Sequence, residues 1–383
     1  MGLAVNTPSL NNKNTPVSSN HAIKVMVVDD SAVVRGLVSR WVGEESGMEI
    51  VARHANGLKA VEDVGSSQPD IIILDVEMPV MDGLEALPQL LRGKPGVKIV
   101  MASTLTQRNA EISMKALSLG ATDYIPKPDS NSGITTSASF RTDLIARIRS
   151  LGGARRAPKS SIGAAARVQL GTAAKVVATK PSNTPKLRSF SAVAPRLLVV
   201  GSSTGGPQAL AKLFAAIGPK IGNVPVLVTQ HMPATFTAIL AKHLGDASGR
   251  PSKEAEHREV LVPGHVYVAP GGYHMRLKQA ANGASIALDQ GPEINFCRPA
   301  VDPLFESASQ IYRSGLLATI LTGMGSDGAN GGRAIAAAGG AVIAQDEETS
   351  VVWGMPGAAA AAGICSAILP LGEIGPKINS LLR

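Results

Sequence analysis

From Ile23 onward the chain alternates between short, continuously apolar runs and longer amphipathic stretches. The runs Ile23–Val28, Met48–Ala52, Asp70–Leu74, Val97–Ala102 and Ala121–Ile125 predict strands, being short and rich in β-branched residues. Helix-length segments separate them, and Phe140–Leu151 predicts a closing helix. Strands that alternate with helices build a parallel sheet covered on both faces. A second alternation gives strands at Leu197–Val200, Val226–Thr229, Leu317–Leu321, Ala341–Ala344 and Ala367–Leu369. Within it, Val266–Ala269, Met275–Leu277 and Ser285–Leu288 are short and separated by glycine, which predicts a β-hairpin excursion. The expected fold is α/β: two doubly wound, mainly parallel-sheet domains, over residues 23–151 and 195–383.

Composition changes the picture at the joints. Residues 1–22 are rich in Asn, Ser, Thr and Pro and predict a disordered tail. They lack a charged start followed by an apolar stretch, so no secretory leader is expected. Residues 152–194 are Ala-, Ser-, Thr- and Pro-rich, with eight basic residues and no Asp or Glu, and predict a basic flexible linker. The net charge of +8 therefore resides in the linker, because the other 29 of 37 basic residues meet 29 acidic ones. With aromatics at 3%, neither a basic face nor a stacking platform is left for a nucleic-acid partner. No apolar run reaches the ~18 residues of a membrane span, so no membrane insertion is expected. Cys297 and Cys365 have no metal or redox spacing and read as small buried thiols in a reducing cytoplasm.

Candidate chemistry falls on strand ends. Asp29 and Asp30 follow the first strand, Asp75 the third, Ser103 the fourth, and Lys127, between Pro126 and Pro128, the fifth. In open parallel sheets, ligands bind outside the carboxyl ends of the strands. Three carboxylates converging there repel one another unless a hard cation lies among them, and an all-oxygen set suits Mg²⁺ beside phosphate. Taken singly, each Asp is an ordinary cap or turn residue. Taken together, the stretches VVDDS, ILDVEMPVMDG and YIPKP resemble the receiver domain of two-component response regulators, from Ile23 to about Ser150. That resemblance implies a flavodoxin-like fold with Asp75 as phosphoacceptor. It also implies that Asp29, Asp30 and Asp75 hold Mg²⁺, that Ser103 and Lys127 contact the phosphoryl group, and that a sensor histidine kinase is the phosphodonor.

The second domain opens with Leu197-Leu198-Val199-Val200 running into Gly201-Ser202-Ser203-Thr204-Gly205-Gly206-Pro207. This turn can be read as a phosphate cradle at a helix N-terminus, although neither nucleotide fingerprint is met. It can also be read as a nucleophile elbow, since Gly201-x-Ser203-x-Gly205 lies between a strand and a helix. A serine nucleophile needs a base. Of the seven histidines, His21 is in the tail and His54 in the first domain. His243 lies in a helical stretch, His257 and His265 in polar or turn context, and His274 in the hairpin. Only His231 directly follows a strand of the second sheet, and Asp327 follows another, so serine, histidine and aspartate share one rim. His231 can take the Ser203 proton while Asp327 orients the ring, and glycines around Ser203 and Met324 let backbone N–H groups approach an oxyanion. The order Ser…His…Asp differs from the Ser…Asp…His order of the α/β-hydrolases, which excludes that superfamily.

The stretches GSSTGGP, TQHMP, VYVAPGGYHM, VDPLFESA, ILTGMGSDG, AQDE and VVWGMPGAA together resemble the catalytic domain of chemotaxis protein-glutamate methylesterases, from about Pro195 to the C-terminus. The order of receiver, linker and esterase is also that family's. The resemblance implies a Rossmann-like esterase domain with a Ser203–His231–Asp327 triad, Thr204 beside the nucleophile and Met324 contributing an oxyanion N–H, with no cofactor at the esterase site. The implied substrates are methylated glutamates, and in many members glutamines, on methyl-accepting chemoreceptors. Two other classes compete: a DNA-binding response regulator, which would need a compact basic output module, and a non-catalytic phosphate sink.

Overall fold

The computed structural model describes residues 22–104, 106–127, 134–153, 187–281 and 283–382. The predicted tail, apart from residue 22, and most of the predicted linker lie outside the described residues. The first unit runs β1 (Ile23–Val28), α1 (Ala32–Gly43), β2 (Met48–His54), α2 (Gly57–Ser67), β3 (Ile71–Asp75), α3 (Gly83–Gly93), β4 (Lys98–Ser103), α4 (Gln107–Ser118), β5 (Asp123–Pro126) and α5 (Ile134–Gly153). Ser31, Asn56, Asp82 and Thr106 start α1 to α4 by accepting a backbone N–H three residues ahead. The strands pair in parallel in the order β2-β1-β3-β4-β5. The strand order therefore reverses between β1 and β3, which opens a crevice at their carboxyl ends.

The second unit begins with β6 (Leu197–Ser202), α6 (Gly206–Ile217), β7 (Val226–Gln230), α7 (Ala234–Ser248), β8 (Ser252–Glu254), β9 (Val266–Val268), β10 (His274–Ala280) and β11 (Gly283–Asp289). It closes with α8 (Val301–Tyr312), β12 (Leu316–Ile320), α9 (Ala329–Ala337), β13 (Ala341–Gln345), α10 (Met355–Ala361), β14 (Ala367–Leu369) and α11 (Leu371–Leu381). Seven strands form a parallel sheet in the order β14-β13-β12-β6-β7-β9-β8, while β10 and β11 form a separate antiparallel hairpin. β6, β7, β12 and β13 are buried along their whole length, as apolar strands under helices on both faces must be. Here β6 is the switch point, with β7 on one side and β12 on the other.

Two sequence expectations need correction, and one strand has no sequence signal. Val266–Ala269 is not part of the hairpin: β9 pairs in parallel with β7 and β8 inside the main sheet. β8, the polar edge strand Ser-Lys-Glu, carries no apolar signal. The predicted linker also ends too late. The Arg188 N–H donates to the Cys365 carbonyl (2.8 Å), Arg188 Nη2 donates to Ala336 O (2.9 Å), and Phe190 lies under Lys377, so this segment is packed onto the second unit.

The two units meet. α4 packs against α6 and α7, and Tyr124 of β5 stacks on Phe236 of α7 with ring centroids 4.3 Å apart. Such a pair contributes about 0.5–1.5 kcal/mol beyond its buried area. Gln208 of α6 donates to the carbonyl of Leu117 (2.8 Å) and also to that of Ala121. The apolar cluster around Val25, Trp41 and Ile148 extends to Val352, with Val351 and Met324 packed against it.

Candidate functional site

In the first unit, the carboxylates of Asp29, Asp30 and Asp75 come within 4.8 Å of one another at the β1/β3 crevice. Lys127 Nζ lies 2.7 Å from Asp29 Oδ2 and 2.7 Å from Asp75 Oδ1, placing one ammonium between two buried carboxylates. Burial pushes the Asp75 carboxyl up to about 6, even though Lys127 and the Val76 N–H pull it down. Ser103 is buried and hydrogen-bonded to Ser113 (3.0 Å), so it is near the crevice but not engaged with Asp75. Three hard oxygen donors beside a fixed ammonium fit a divalent cation and a phosphoryl group.

In the second unit the switch strand β6 delivers the Gly-Ser-Ser turn. Ser202 is fully buried and donates to Gln230 Oε1 (2.6 Å), whereas Ser203 is partly exposed. Gln230 Nε2 in turn donates to Ser203 O (2.9 Å), and Ser203 N–H donates to Thr322 O (3.0 Å). A Cβ on Gly323 would lie 2.8 Å from the Ser203 Cβ, so only glycine lets the β12 loop come this close. The N–H groups of Thr204 and Met324 are not spent on any hydrogen bond among the described residues. Both N–H groups therefore remain free to donate.

β7 ends at Gln230, and the His231 N–H donates to Ser202 O (3.1 Å), which holds the histidine beside the serine turn. Its Nε2 lies 2.7 Å from Asp327 Oδ2. Asp327 is buried at the N-terminus of α8, accepting from the N–H groups of Val301 (2.6 Å) and Asp302 (3.0 Å), and it also accepts from the Gly328 N–H. Burial alone would raise its pKa. The His231 contact and these N–H groups outweigh it and hold the carboxyl below its ordinary value. Burial opposes charge on His231, but the contacts with Asp327 and Cys297 raise its pKa well above the ordinary value near 6.5.

Cys297 is the residue that sequence reasoning missed. Far from being an inert buried thiol, its Sγ lies 3.3 Å from His231 Nδ1. Both ring nitrogens are thus occupied, and no hydrogen bond joins Ser203 Oγ to the ring. His231 and Asp327 are brought together, with the serine next to them but not yet engaged. No spacing signal links positions 231 and 297; only the return of the chain from the β10–β11 hairpin does so. Cys365, by contrast, is buried as expected, and burial pushes its thiol up to about 12.

The family descriptions that match are CheB methylesterase over residues 198–378 and response regulator receiver domain over residues 25–138. A Nitrobacter hamburgensis protein named protein-glutamate methylesterase/protein-glutamine glutaminase is 57% identical over 359 residues, covering 94% of each chain. The chain belongs to this methylesterase/glutaminase family. A Rhodopseudomonas palustris relative of the same name is 55% identical, again over 94% of each chain. The crystal structure of the Thermotoga maritima CheB methylesterase catalytic domain matches 49% of this chain and all of its own, at 43% identity and a TM-score of 0.48. This methylesterase/glutaminase family member joins a receiver domain to an esterase domain, as the motifs implied. Among the described residues no helix is long and apolar enough to cross a membrane.

Proposed function

We propose that the chain hydrolyses glutamate methyl esters on methyl-accepting chemoreceptors, and deamidates receptor glutamines, with Ser203 as nucleophile, His231 as base and Asp327 as its orienting partner. The observation that carries this reading is the 2.7 Å His231–Asp327 contact beside the partly exposed serine at the switch strand. Substrate entry takes the Nδ1 of the neutral ring off the Cys297 thiol, which frees its lone pair while Nε2–H stays on Asp327. His231 then accepts the Ser203 proton as Oγ bonds to the ester carbonyl carbon, and Thr204 and Met324 N–H groups receive the oxyanion. The carbon–methoxy bond breaks, His231 gives the proton to departing methanol, and a glutamyl ester of Ser203 remains. Water, deprotonated by His231, attacks that ester, and the proton returns to Ser203 as the glutamate carboxylate leaves. With glutamine the leaving group is ammonia.

The receiver supplies control. Asp29, Asp30 and Asp75 would hold Mg²⁺, which offsets charge as phosphate arrives. The Asp75 carboxylate attacks the phosphorus of a phosphohistidine on a sensor kinase, and the phosphorus–nitrogen bond breaks. Lys127 and Ser103 then turn to the new phosphoryl oxygens. Tyr124 lies on the strand that leads to Lys127, so movement there loosens its stack on Phe236 and releases the receiver from α6 and α7, the helices that follow the Ser203 and His231 turns. A tenfold shift in docking needs only about 1.4 kcal/mol. Methanol release from methylated receptor membranes, with and without a phosphodonor, tests the whole reading. Absence of release in both conditions, with no labelling of Ser203 by a serine-reactive phosphonate, would overturn it.

A further inference from the structure

The chain has only six Phe, four Tyr and two Trp, and ten of these twelve are buried or half-buried. The two exposed ones lie on segments that are hydrogen-bonded to each other. Phe296 is 97% exposed and Tyr273 39% exposed, and their segments are tied together by the Gly272 N–H donating to Arg298 O (3.0 Å). Phe296 immediately precedes Cys297, the thiol in contact with His231, so this aromatic pair borders the catalytic rim.

The segment that carries Phe296 is built rather than loose. His274, buried beneath it, bridges Pro292 O through Nε2 (2.9 Å) and the Ala300 N–H through Nδ1 (3.2 Å), which clamps both ends. Arg298 Nη1 donates to Gly291 O (2.8 Å). At the tip, Ile294 and Cys297 exchange both backbone hydrogen bonds around Asn295 and Phe296, whose φ angles are +52° and +61°. Positive φ at both central residues defines a turn that favours Asn followed by Gly. Phenylalanine at the second position is unfavourable twice over: its backbone is strained and its ring stands in water. Neither local folding nor the core accounts for it. The docked receiver does not cover it either, since Phe296 stays exposed with the two units in contact.

We infer that Phe296 and Tyr273 form an apolar docking surface for the chemoreceptor helix that carries the modified glutamate, gripping an apolar side chain of that helix beside the one delivered to Ser203. The inference rests on the proposed substrate class. It explains how a small methyl ester on a long helical protein is selected: the helix face is recognised outside the reacting group. Because the surface stays open while the receiver is docked, receptor capture can precede activation.

Phe296→Gly separates this role from a structural one, because glycine relieves the positive φ while removing the ring. With full-length, phosphodonor-treated protein, kcat/KM on methylated receptor membranes should fall about tenfold, mainly through KM. Hydrolysis of N-acetylglutamate γ-methyl ester should be unchanged, and the melting temperature unchanged or higher. Phe296→Leu should restore most of the receptor activity, and Tyr273→Ala should lose a smaller part. Co-sedimentation with receptor membranes should weaken in parallel; it reads docking even if methanol release fails, so the two readings fail separately. Undiminished receptor binding and activity in Phe296→Gly, or equal loss on both substrates, would overturn the inference.

Discussion

The two sites of this chain occupy equivalent places and use them for opposite electrostatics. Each lies at the carboxyl ends of parallel strands where strand order reverses, between β1 and β3 in the receiver and around β6 in the esterase. In the receiver crevice, charges are crowded: three carboxylates meet one ammonium, and the buried Asp75 carboxyl is pushed up to about 6. In the esterase rim, one carboxylate is over-supplied with donors. Asp327 takes His231, two N–H groups at the start of α8 and the Gly328 N–H, and is held below its ordinary value although it too is buried. Burial alone therefore does not decide ionisation; neighbouring charges and donors do. The topology supplies a place, and neighbouring donors decide whether a carboxylate there is a poised acceptor or a fixed anchor.

The largest expected effect tests the esterase side of this contrast. Ser203→Ala should lower methanol release by about 10⁴-fold or more, as loss of a triad nucleophile does elsewhere. Ser202→Ala should keep most activity, since Ser202 faces Gln230. Kinetics on receptor membranes would show the reverse pattern if the register were wrong by one. Asp327→Asn should cost on the order of 10³–10⁴ in kcat with little change in KM, through the wrong tautomer.

A smaller effect links the two sites. A chain beginning at residue 187 should show basal methanol release several-fold above that of the unphosphorylated full-length protein. The cut belongs there because Arg188 and Phe190 pack on the esterase domain. Asp75→Asn should abolish stimulation by a phosphodonor and leave basal release in place. If the truncated protein were no faster, docking on α6 and α7 would be ruled out as the receiver's means of control.

The acid limb of the rate profile gives the next effect. The contacts with Asp327 and Cys297 raise the His231 pKa, so kcat/KM on a small ester should fall on acidification with a midpoint above the ordinary value near 6.5. A profile flat from pH 5 to 9 would exclude the base. The same shift bears on stability. A raised folded value contributes stability that is complete below about 6.5 and lost as pH rises through the folded value. Asp327, lowered, contributes stability above about 3.9 that is lost as pH falls through its folded value. The smallest effect is local: Cys297→Ala should move the acid limb to lower pH, because the thiol contact supports the ring's charge. An unmoved limb would show that the 3.3 Å contact does not couple to the base.

Much of this molecule was legible in one dimension. A parallel strand under two layers of helices is a short unbroken apolar run, so β1, β6, β7 and β13 could be read almost to the residue. Residues at the ends of such runs fall on the carboxyl rim whatever the details, which is why Asp29, Asp75, Ser203, His231 and Asp327 could be placed there from the sequence. Four features were not legible. β9 pairs as a central neighbour of β7 although its flanking glycines mimic a hairpin, and β8 is an edge too polar to signal itself. Cys297 meets His231 across 66 positions. Tyr124 meets Phe236 across two domains. The sequence by itself determined the periodicities and the rim residues, because these depend on local burial and on chain direction. Only the tertiary structure decided which surfaces face each other, because long-range contacts depend on how whole elements stack and leave no repeating mark along the chain.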